Sequence, residues 1–277
     1  MLMYNKRMKI AARKKSVRPL LLILTIILVA VAAGSYVVMT QKKTPAVQQQ
    51  TTSKATSAPK PSSLMLPGAK TAIPLPIDKT LLARPAGQLI LVNKQQPIDL
   101  AYVPSDLVLP DVPYRTDKSK EEVMVRASLV MPLKDMFAAA KAAGIELMIG
   151  SAYRSSELQA TYFNSYVKAS GQAEAEKYSA HPGTSEHQLG LAADLTTTDR
   201  ACYLVECFET TAAGKWLATH AHEYGFILRY PKGKTDITGY QFEPWHFRYL
   251  GKTVAAAVYE SGLTYEEAFP YLTGDKR

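Results

Sequence analysis

An uninterrupted run of 21 uncharged residues, Pro19 to Met39, most limits how this 277-residue chain can fold. At about 1.5 Å per residue, a helix of that length spans the roughly 30 Å hydrocarbon core of a bilayer. Seven Lys and Arg residues and no acidic residue precede the run, within residues 1–18. We therefore predict a basic cytoplasmic head at 1–18 and a transmembrane anchor at 19–39.

A cleavable signal peptide is the alternative for the same segment. Leu20 to Val29 forms a short apolar core, and Ala30-Val31-Ala32 resembles a signal-peptidase site. With either interpretation, the positive charges stay in the cytoplasm and the rest of the chain lies outside it. We expect a single-pass membrane protein whose C-terminal domain is extracytoplasmic.

Residues 40–87 have the composition of a disordered linker. They are rich in Gln, Thr, Ser, Pro, Ala and Lys and contain no aromatic residue. The net charge of +9 comes from this linker and the head, because residues 88–277 contain 19 basic and 23 acidic residues. A nucleic-acid-binding domain would carry the positive charge itself, so we exclude that class of function.

The domain from residue 88 onward combines helical and strand patterns. We expect an α+β fold with a central antiparallel sheet flanked by helices. The predicted helices are 131–143, 155–169, 212–224, 251–261 and 264–271, and the predicted strands are 145–149, 191–196, 226–230 and 240–249.

Two short motifs contain the residue types of a hydrolytic zinc site. His187 and Asp194 lie in the first motif, and Glu243 and His246 lie in the second. Zn²⁺ binds imidazole nitrogen and carboxylate oxygen, and a catalytic site keeps one of its four positions for water. A further carboxylate is then needed to move the proton. The helical signature HExxH does not occur in the sequence, so a different zinc architecture is expected.

The remaining three histidines are not part of a motif with the residue types of a zinc site. His220 and His222 are two residues apart on a predicted helix, so their side chains point to nearly opposite sides. His181 precedes Pro182-Gly183 in a predicted turn. We expect all three to be structural or exposed to solvent.

The motifs together resemble the LAS-type zinc peptidases, specifically the VanY-like D-alanyl-D-alanine carboxypeptidases. The resemblance extends over about residues 88 to 262, and the motifs occur in the family's order. The matching segments are Ser151-Ala152-Tyr153-Arg154-Ser155 with Gln159, Ser185-x-His187-x-x-Gly190-x-Ala192-x-Asp194, Tyr224 to Tyr230, and Glu243-Pro244-Trp245-His246.

The resemblance implies a role for each matching residue. His187, Asp194 and His246 would bind Zn²⁺, and Glu243 would act as general base and then as general acid. Arg154 would hold the substrate through charge-assisted hydrogen bonds. Further substrate contacts would come from Tyr153, Gln159 and Ser185. For Arg154 the alternative is a surface ion pair, and for Gln159 and Ser185 it is a helix surface and a turn.

The implied function is a zinc D,D-carboxypeptidase that removes the terminal D-alanine from peptidoglycan stem peptides, facing the cell wall. An L,D-carboxypeptidase acting on tetrapeptide stems is the alternative within this class. A non-catalytic wall-binding module is the alternative outside it. The expected partners are stem peptides and, through the N-terminal helix, the membrane, and we expect a monomer.

Cys202 and Cys207 are the only cysteines in the sequence. In an oxidising compartment a C-x4-C pair can close a small loop through a disulfide. Two thiolates alone make only half of a structural zinc site, so the disulfide is the preferred interpretation.

Overall fold

The computed structural model describes residues 63–276. The predicted head, the predicted anchor at 19–39 and residues 40–62 of the predicted linker lie outside the described residues. Within residues 63–276, no helix combines the length and the apolar character needed to cross a bilayer.

A four-stranded antiparallel sheet lies at the centre of the domain. Its spatial order is β5-β6-β8-β7, and β1 pairs with β2 and β3 with β4 in two small hairpin-like sheets. The strands are β1 Ser63–Leu64, β2 Ile73–Pro74, β3 Leu107–Val108, β4 Val125–Arg126, β5 Leu147–Ser151, β6 Ala192–Thr197, β7 Phe226–Leu228 and β8 His246–Tyr249.

Helices pack around this sheet, which confirms the predicted α+β fold. The α-helices are α1 Lys79–Leu82, α2 Val130–Ala142, α3 Ser156–Ser170, α4 Gln172–Tyr178, α5 Ala212–His220, α6 Thr235–Thr238, α7 Lys252–Ser261 and α8 Tyr265–Thr273. One core cluster joins α2 and α5 to the sheet, and a second joins α7 and α8 to the segment before residue 92.

The predicted strand 240–249 is too long. Only β8, His246–Tyr249, is a strand, and α6 ends just before this region at Thr238, with Gly239 as its C-cap. Pro244 has no backbone N–H to contribute to a ladder. The residues before β8 therefore form a turn.

The linker predicted at 40–87 extends too far toward the C-terminus, because its described part, residues 63–87, is folded. Leu66 and Ile73 are 2% and 3% exposed and belong to the second core cluster. The backbone N–H groups of Lys70 and Thr71 donate to the Glu260 carboxylate of α7 at 2.7 and 2.6 Å. Residues 63–87 are thus part of the folded domain. The average composition of the whole of residues 40–87 hides the apolar side chains that fix them.

Cys202 and Cys207 form the predicted disulfide. It closes a loop after β6, and Arg200, just before this loop, and Cys202 and Leu204 within it have positive φ angles of 51–56°. Leu204 from this loop lines the cavity described next.

Candidate metal centre

Strand pairing places two of the predicted ligands side by side. Asp194 of β6 is the cross-strand partner of His246 of β8. Residues paired in this way have neighbouring side chains on one face of the sheet. The Asp194 Oδ1 and His246 Nδ1 atoms are 3.1 Å apart.

The third predicted ligand comes from a short 3-10 helix, Glu186–Leu189. Ser185 caps it by accepting a hydrogen bond from the His187 N–H at 3.4 Å. Gly190 then turns the chain into β6 with a φ of 64°, where a Cβ would lie 2.8 Å from the Leu107 side chain. The left-handed turn at Gly190 thus connects the short helix that carries His187 to the strand that carries Asp194.

The orientation of the His187 ring suits a metal ligand. Its Nδ1 atom forms a hydrogen bond with the carbonyl oxygen of Ala152. An Nδ1–H that donates to a carbonyl leaves the lone pair on Nε2. That Nε2 atom lies 3.4 Å from Asp194 Oδ1.

The three residues together fit a divalent metal ion. His187, Asp194 and His246 are each 3% exposed, and their candidate ligand atoms all lie within 4.8 Å of one another. Two imidazoles and one carboxylate are a donor set of catalytic zinc sites. The structure thus brings the three predicted ligands together at one buried point.

The electrostatics of the ligands depend strongly on burial. Burial lowers the pKa of His187 to about 4, and the Arg154 guanidinium adds to this effect. Burial also opposes charge on His246, but the carboxylates of Asp194 and Glu186 raise its pKa to about 9. Although burial opposes ionisation of Asp194, the two histidines hold its pKa well below the usual range. Asp194 is therefore an anionic ligand at neutral pH.

Glu243 lies beside the cluster on the turn that precedes β8. The Glu243 carbonyl accepts from the His246 N–H at 3.1 Å, and the Glu243 N–H donates to the Tyr230 carbonyl at 3.1 Å. Its Oε2 atom is 3.8 Å from His246 Nδ1. Burial raises the pKa of Glu243 to about 7, and the Asp194 carboxylate contributes to the rise. A carboxyl group with that pKa can both accept and return a proton near neutral pH.

Arg154 extends from the residues after β5 toward the same cluster. Its Nη2 atom donates to Asp194 Oδ2 at 3.2 Å, and its Nη1 atom donates to Gln159 Oε1 at 3.0 Å. Gln159, on the first turn of α3, donates in turn to the Ala180 carbonyl at 2.7 Å. Arg154 is thus held in place by a buried partner, and the surface ion pair considered for it does not apply.

A cavity of about 280 Å³ opens onto these residues. Of the predicted substrate contacts, Arg154, Gln159 and Ser185 line it. Tyr153 does not, since its side chain is fully buried and outside the cavity lining. The sequence prediction missed several lining residues that lie outside the motifs or were treated as spacers within them: Tyr166, Tyr178, Glu186, Tyr230, Tyr240, Gln241 and Trp245.

The other histidines stay outside the cluster, as predicted. His181 pairs with Glu176 at 3.2 Å, and His220 pairs with Glu223 at 3.0 Å. The His222 ring stacks on Tyr259 with centroids 3.7 Å apart.

Comparison with known proteins agrees with a metal-dependent carboxypeptidase site. The family model that matches residues 122–252 is described as VanY, D-alanyl-D-alanine carboxypeptidase. The Bacillus subtilis (strain 168) protein YodJ, which is named as a carboxypeptidase, is 44% identical over 188 residues, covering 68% of this chain and 69% of YodJ.

Two solved structures share the fold. The LdcB LD-carboxypeptidase is 45% identical with a TM-score of 0.63, covering 67% of this chain and 86% of LdcB. A mutant of the vancomycin-resistance D,D-pentapeptidase VanY from a VanB-type cassette, in complex with Zn(II), is 36% identical with a TM-score of 0.55, covering 65% of this chain and 97% of that one. The present chain therefore belongs to the VanY family of D-alanyl-D-alanine carboxypeptidases.

Proposed function

We propose that this protein is a zinc-dependent carboxypeptidase that removes the C-terminal D-alanine from peptidoglycan stem peptides. The observation that carries the proposal is the buried cluster of His187, Asp194 and His246, with Glu243 3.8 Å from His246 Nδ1 and Arg154 on the same cavity. A non-catalytic wall-binding module would not need a base beside a complete set of ligands.

The cofactor is zinc, held by His187 Nε2, His246 Nδ1 and an Asp194 carboxylate oxygen. When bound, zinc supplies a Lewis acid that polarises a carbonyl and makes water acidic enough to attack near neutral pH. The neutral His187 and the ionised Asp194 have the protonation states that such binding requires, whereas His246, with a pKa of about 9, must release a proton when zinc binds.

Glu243 carries the proton in the proposed reaction. As a carboxylate it takes a proton from the attacking water, and as a carboxylic acid it gives that proton to the amine of the departing D-alanine. Burial brings the pKa of Glu243 to about 7, which suits both directions of transfer.

Arg154 binds the substrate beside the reacting carbonyl. Its guanidinium is fixed by Asp194 and Gln159, so little conformational freedom is lost when it contacts a peptide. A positioned cation at this point stabilises the negative charge that develops on the carbonyl oxygen, or holds the terminal carboxylate of the peptide.

The first candidate for the bond cleaved is the D-alanyl-D-alanine bond of pentapeptide stems. The description of the family and the D,D-pentapeptidase named above support it. The second candidate is the L,D bond of tetrapeptide stems, which the 45% identity to the LdcB LD-carboxypeptidase supports. Both reactions release one D-alanine.

Product masses from defined peptides distinguish the two candidates. The purified protein is incubated with a pentapeptide stem and, separately, with a tetrapeptide stem. A D,D-carboxypeptidase shortens the pentapeptide by one residue and stops, whereas an L,D-carboxypeptidase shortens the tetrapeptide. Loss of two residues at once from the pentapeptide, or of none from either peptide, contradicts the proposal.

The proposed location is the outer face of the membrane, toward the cell wall. Its support is the sequence alone, namely the basic residues at 1–18 and the uncharged run at 19–39. Protease added to intact cells from which the wall has been removed should digest the domain. Protection of the domain under those conditions contradicts this location.

A further inference from the structure

A group of fully buried charges lies beside the metal centre and has no part in the proposed reaction. The side chains of Glu186, Arg229 and Arg248 have no exposed surface. Burying charges costs several kcal/mol per ion unless each one is paired and hydrogen-bonded. Glu186 immediately precedes the proposed ligand His187 in the chain. The carboxylate of Glu186 is therefore the member of this charged group that lies next to the metal centre.

Both arginines contact the same oxygen of Glu186. Arg229 Nε donates to Oε1 at 2.9 Å, and Arg248 Nη1 donates to Oε1 at 2.7 Å. The two guanidinium groups are also held from elsewhere. Arg229 donates to both oxygens of Glu266 in α8, at 2.8 and 2.6 Å. Arg248 Nη2 donates to the backbone carbonyls of Gln88 and Ile90, each at 2.9 Å. The position of the Glu186 carboxylate is therefore fixed.

The second oxygen of Glu186 faces His246. Among the described residues, neither Glu186 Oε2 nor His246 Nε2 has a hydrogen-bond partner, and both atoms are buried. They are 3.8 Å apart. The other ring nitrogen, Nδ1, is 3.1 Å from Asp194 Oδ1 and faces the ligand cluster. Glu186 thus approaches the nitrogen of His246 that does not belong to the cluster.

From this arrangement we infer that Glu186 is a positioning residue for His246. Nδ1 can bind a metal ion only if its lone pair is free, which places the ring proton on Nε2. In the zinc-loaded protein Glu186 Oε2 and His246 Nε2, 3.8 Å apart here, would move within hydrogen-bond distance, so that Oε2 accepts that proton and fixes both the tautomer and the ring orientation. This inference rests on the proposed function, because it requires His246 to be a zinc ligand.

Glu186→Gln tests the inference while nearly preserving the size of the side chain. Its amide oxygen can replace Oε1 toward the two arginines, which leaves an NH2 group facing Nε2. A donor there disfavours the Nε2–H tautomer. Zinc affinity of the metal-free protein, measured by competition with a chromogenic chelator, should fall about tenfold to a hundredfold.

Glu266→Gln is the matched control. It also neutralises a carboxylate that pairs with Arg229, but Glu266 does not pair with His246. Zinc affinity in this variant should stay close to that of the unchanged protein, even if both variants unfold at a lower temperature. Equal losses of affinity in the two variants, or no loss in Glu186→Gln, would overturn the inference and leave the proposed function intact.

A measurement on the unchanged protein covers the case in which Glu186→Gln does not fold. In the zinc-loaded protein, nitrogen-edited proton NMR should show the His246 Nε2–H as a downfield signal that exchanges slowly with water. An Nε2–H that exchanges freely would overturn the role of Glu186. Failure of the unchanged protein to bind zinc would overturn the proposed function and this inference together.

Discussion

At the scale of single residues, a substitution of Glu243 should greatly reduce turnover without affecting metal binding. Glu243→Gln removes the proton carrier but none of the three ligands, so the variant should bind zinc like the unchanged protein. Its kcat should fall by about 10²- to 10⁴-fold, the usual contribution of a general acid–base group. Zinc content by atomic absorption and D-alanine release from the same sample check this. A variant with normal turnover would remove Glu243 from the mechanism.

Among the arginines of residues 63–276, Arg154 is the one whose side chain contacts a predicted metal ligand, Asp194. Arg154→Lys keeps the charge but loses the planar pair of donors that contacts Asp194 and Gln159. We expect kcat/KM to fall by about tenfold or more, since a misplaced donor no longer stabilises the developing charge. Arg200→Lys, in an exposed pair with Asp117, is the control and should retain full activity. Equal activities of the two variants would contradict the role of Arg154.

The ligands could be predicted from the sequence because their residue types and spacing carry the chemistry. Glu186 could not be recognised in the same way, although it lies between Ser185 and His187, because its function depends on a contact with His246, sixty residues later in the chain. The only signal that the sequence offers is a charged residue directly before the predicted ligand His187, at a position that the motif leaves open. Tyr153 was predicted as a substrate contact from the motif alone, and the structure instead buries it.

At the scale of secondary-structure elements, Glu260 of α7 holds the segment that contains β1 and β2. Hydrogen bonds from the Thr71 backbone and hydroxyl and from the Lys70 backbone lower the pKa of Glu260 from its usual value. Because the folded-state pKa is lowered, this contribution to stability is present above the unfolded pKa of about 4.3 and is lost as the pH falls through the folded-state pKa.

Thermal unfolding at several pH values tests this contact. The unchanged protein should melt at a higher temperature than Glu260→Gln at pH 7, and the difference should shrink steadily below pH 4.5. Glu146→Gln, which removes an exposed carboxylate paired with Lys141, is the control and should leave the melting temperature nearly unchanged at pH 7. A difference between the unchanged protein and Glu260→Gln that persists undiminished at pH 3 would show that ionised Glu260 is not the cause.

Element boundaries could be predicted where local chemistry sets them. The helix predicted at 131–143 is found as α2, Val130–Ala142, with Gly144 at a φ of 78° just beyond its end. The predicted helix 212–224 is divided at His220, where the α-helix gives way to a 3-10 turn. The strand predicted at 240–249 begins only at His246, because Pro244 has no backbone N–H for a ladder and the chain turns before β8.

At the scale of the whole molecule, the domain begins earlier than its composition indicates. Leu66 and Ile73 each bury an apolar side chain against α7 and α8, which contributes about 1.5–3 kcal/mol per side chain. A fragment of residues 88–277 should therefore have a markedly lower free energy of unfolding than a fragment of residues 63–277. Urea denaturation of both fragments measures the difference. Equal midpoints would show that residues 63–87 are dispensable for stability.

The sequence supported the α+β class because helices and strands follow different periods, and the structure confirms it. The start of the domain could not be predicted in the same way. The large apolar residues of 40–87 lie almost all after residue 62, so the average composition of the whole segment hides them, and their packing partners lie nearly two hundred residues later in the chain.

Removal and return of the metal tests the central claim most directly. The purified protein is stripped with a chelator, then titrated with zinc while D-alanine release from penta- and tetrapeptide stems is followed. We predict no release from the stripped protein and full recovery at one zinc per chain, with one D-alanine lost from each peptide cleaved. Release that survives complete removal of the metal, or a protein that binds one zinc and cleaves neither peptide, would contradict the account.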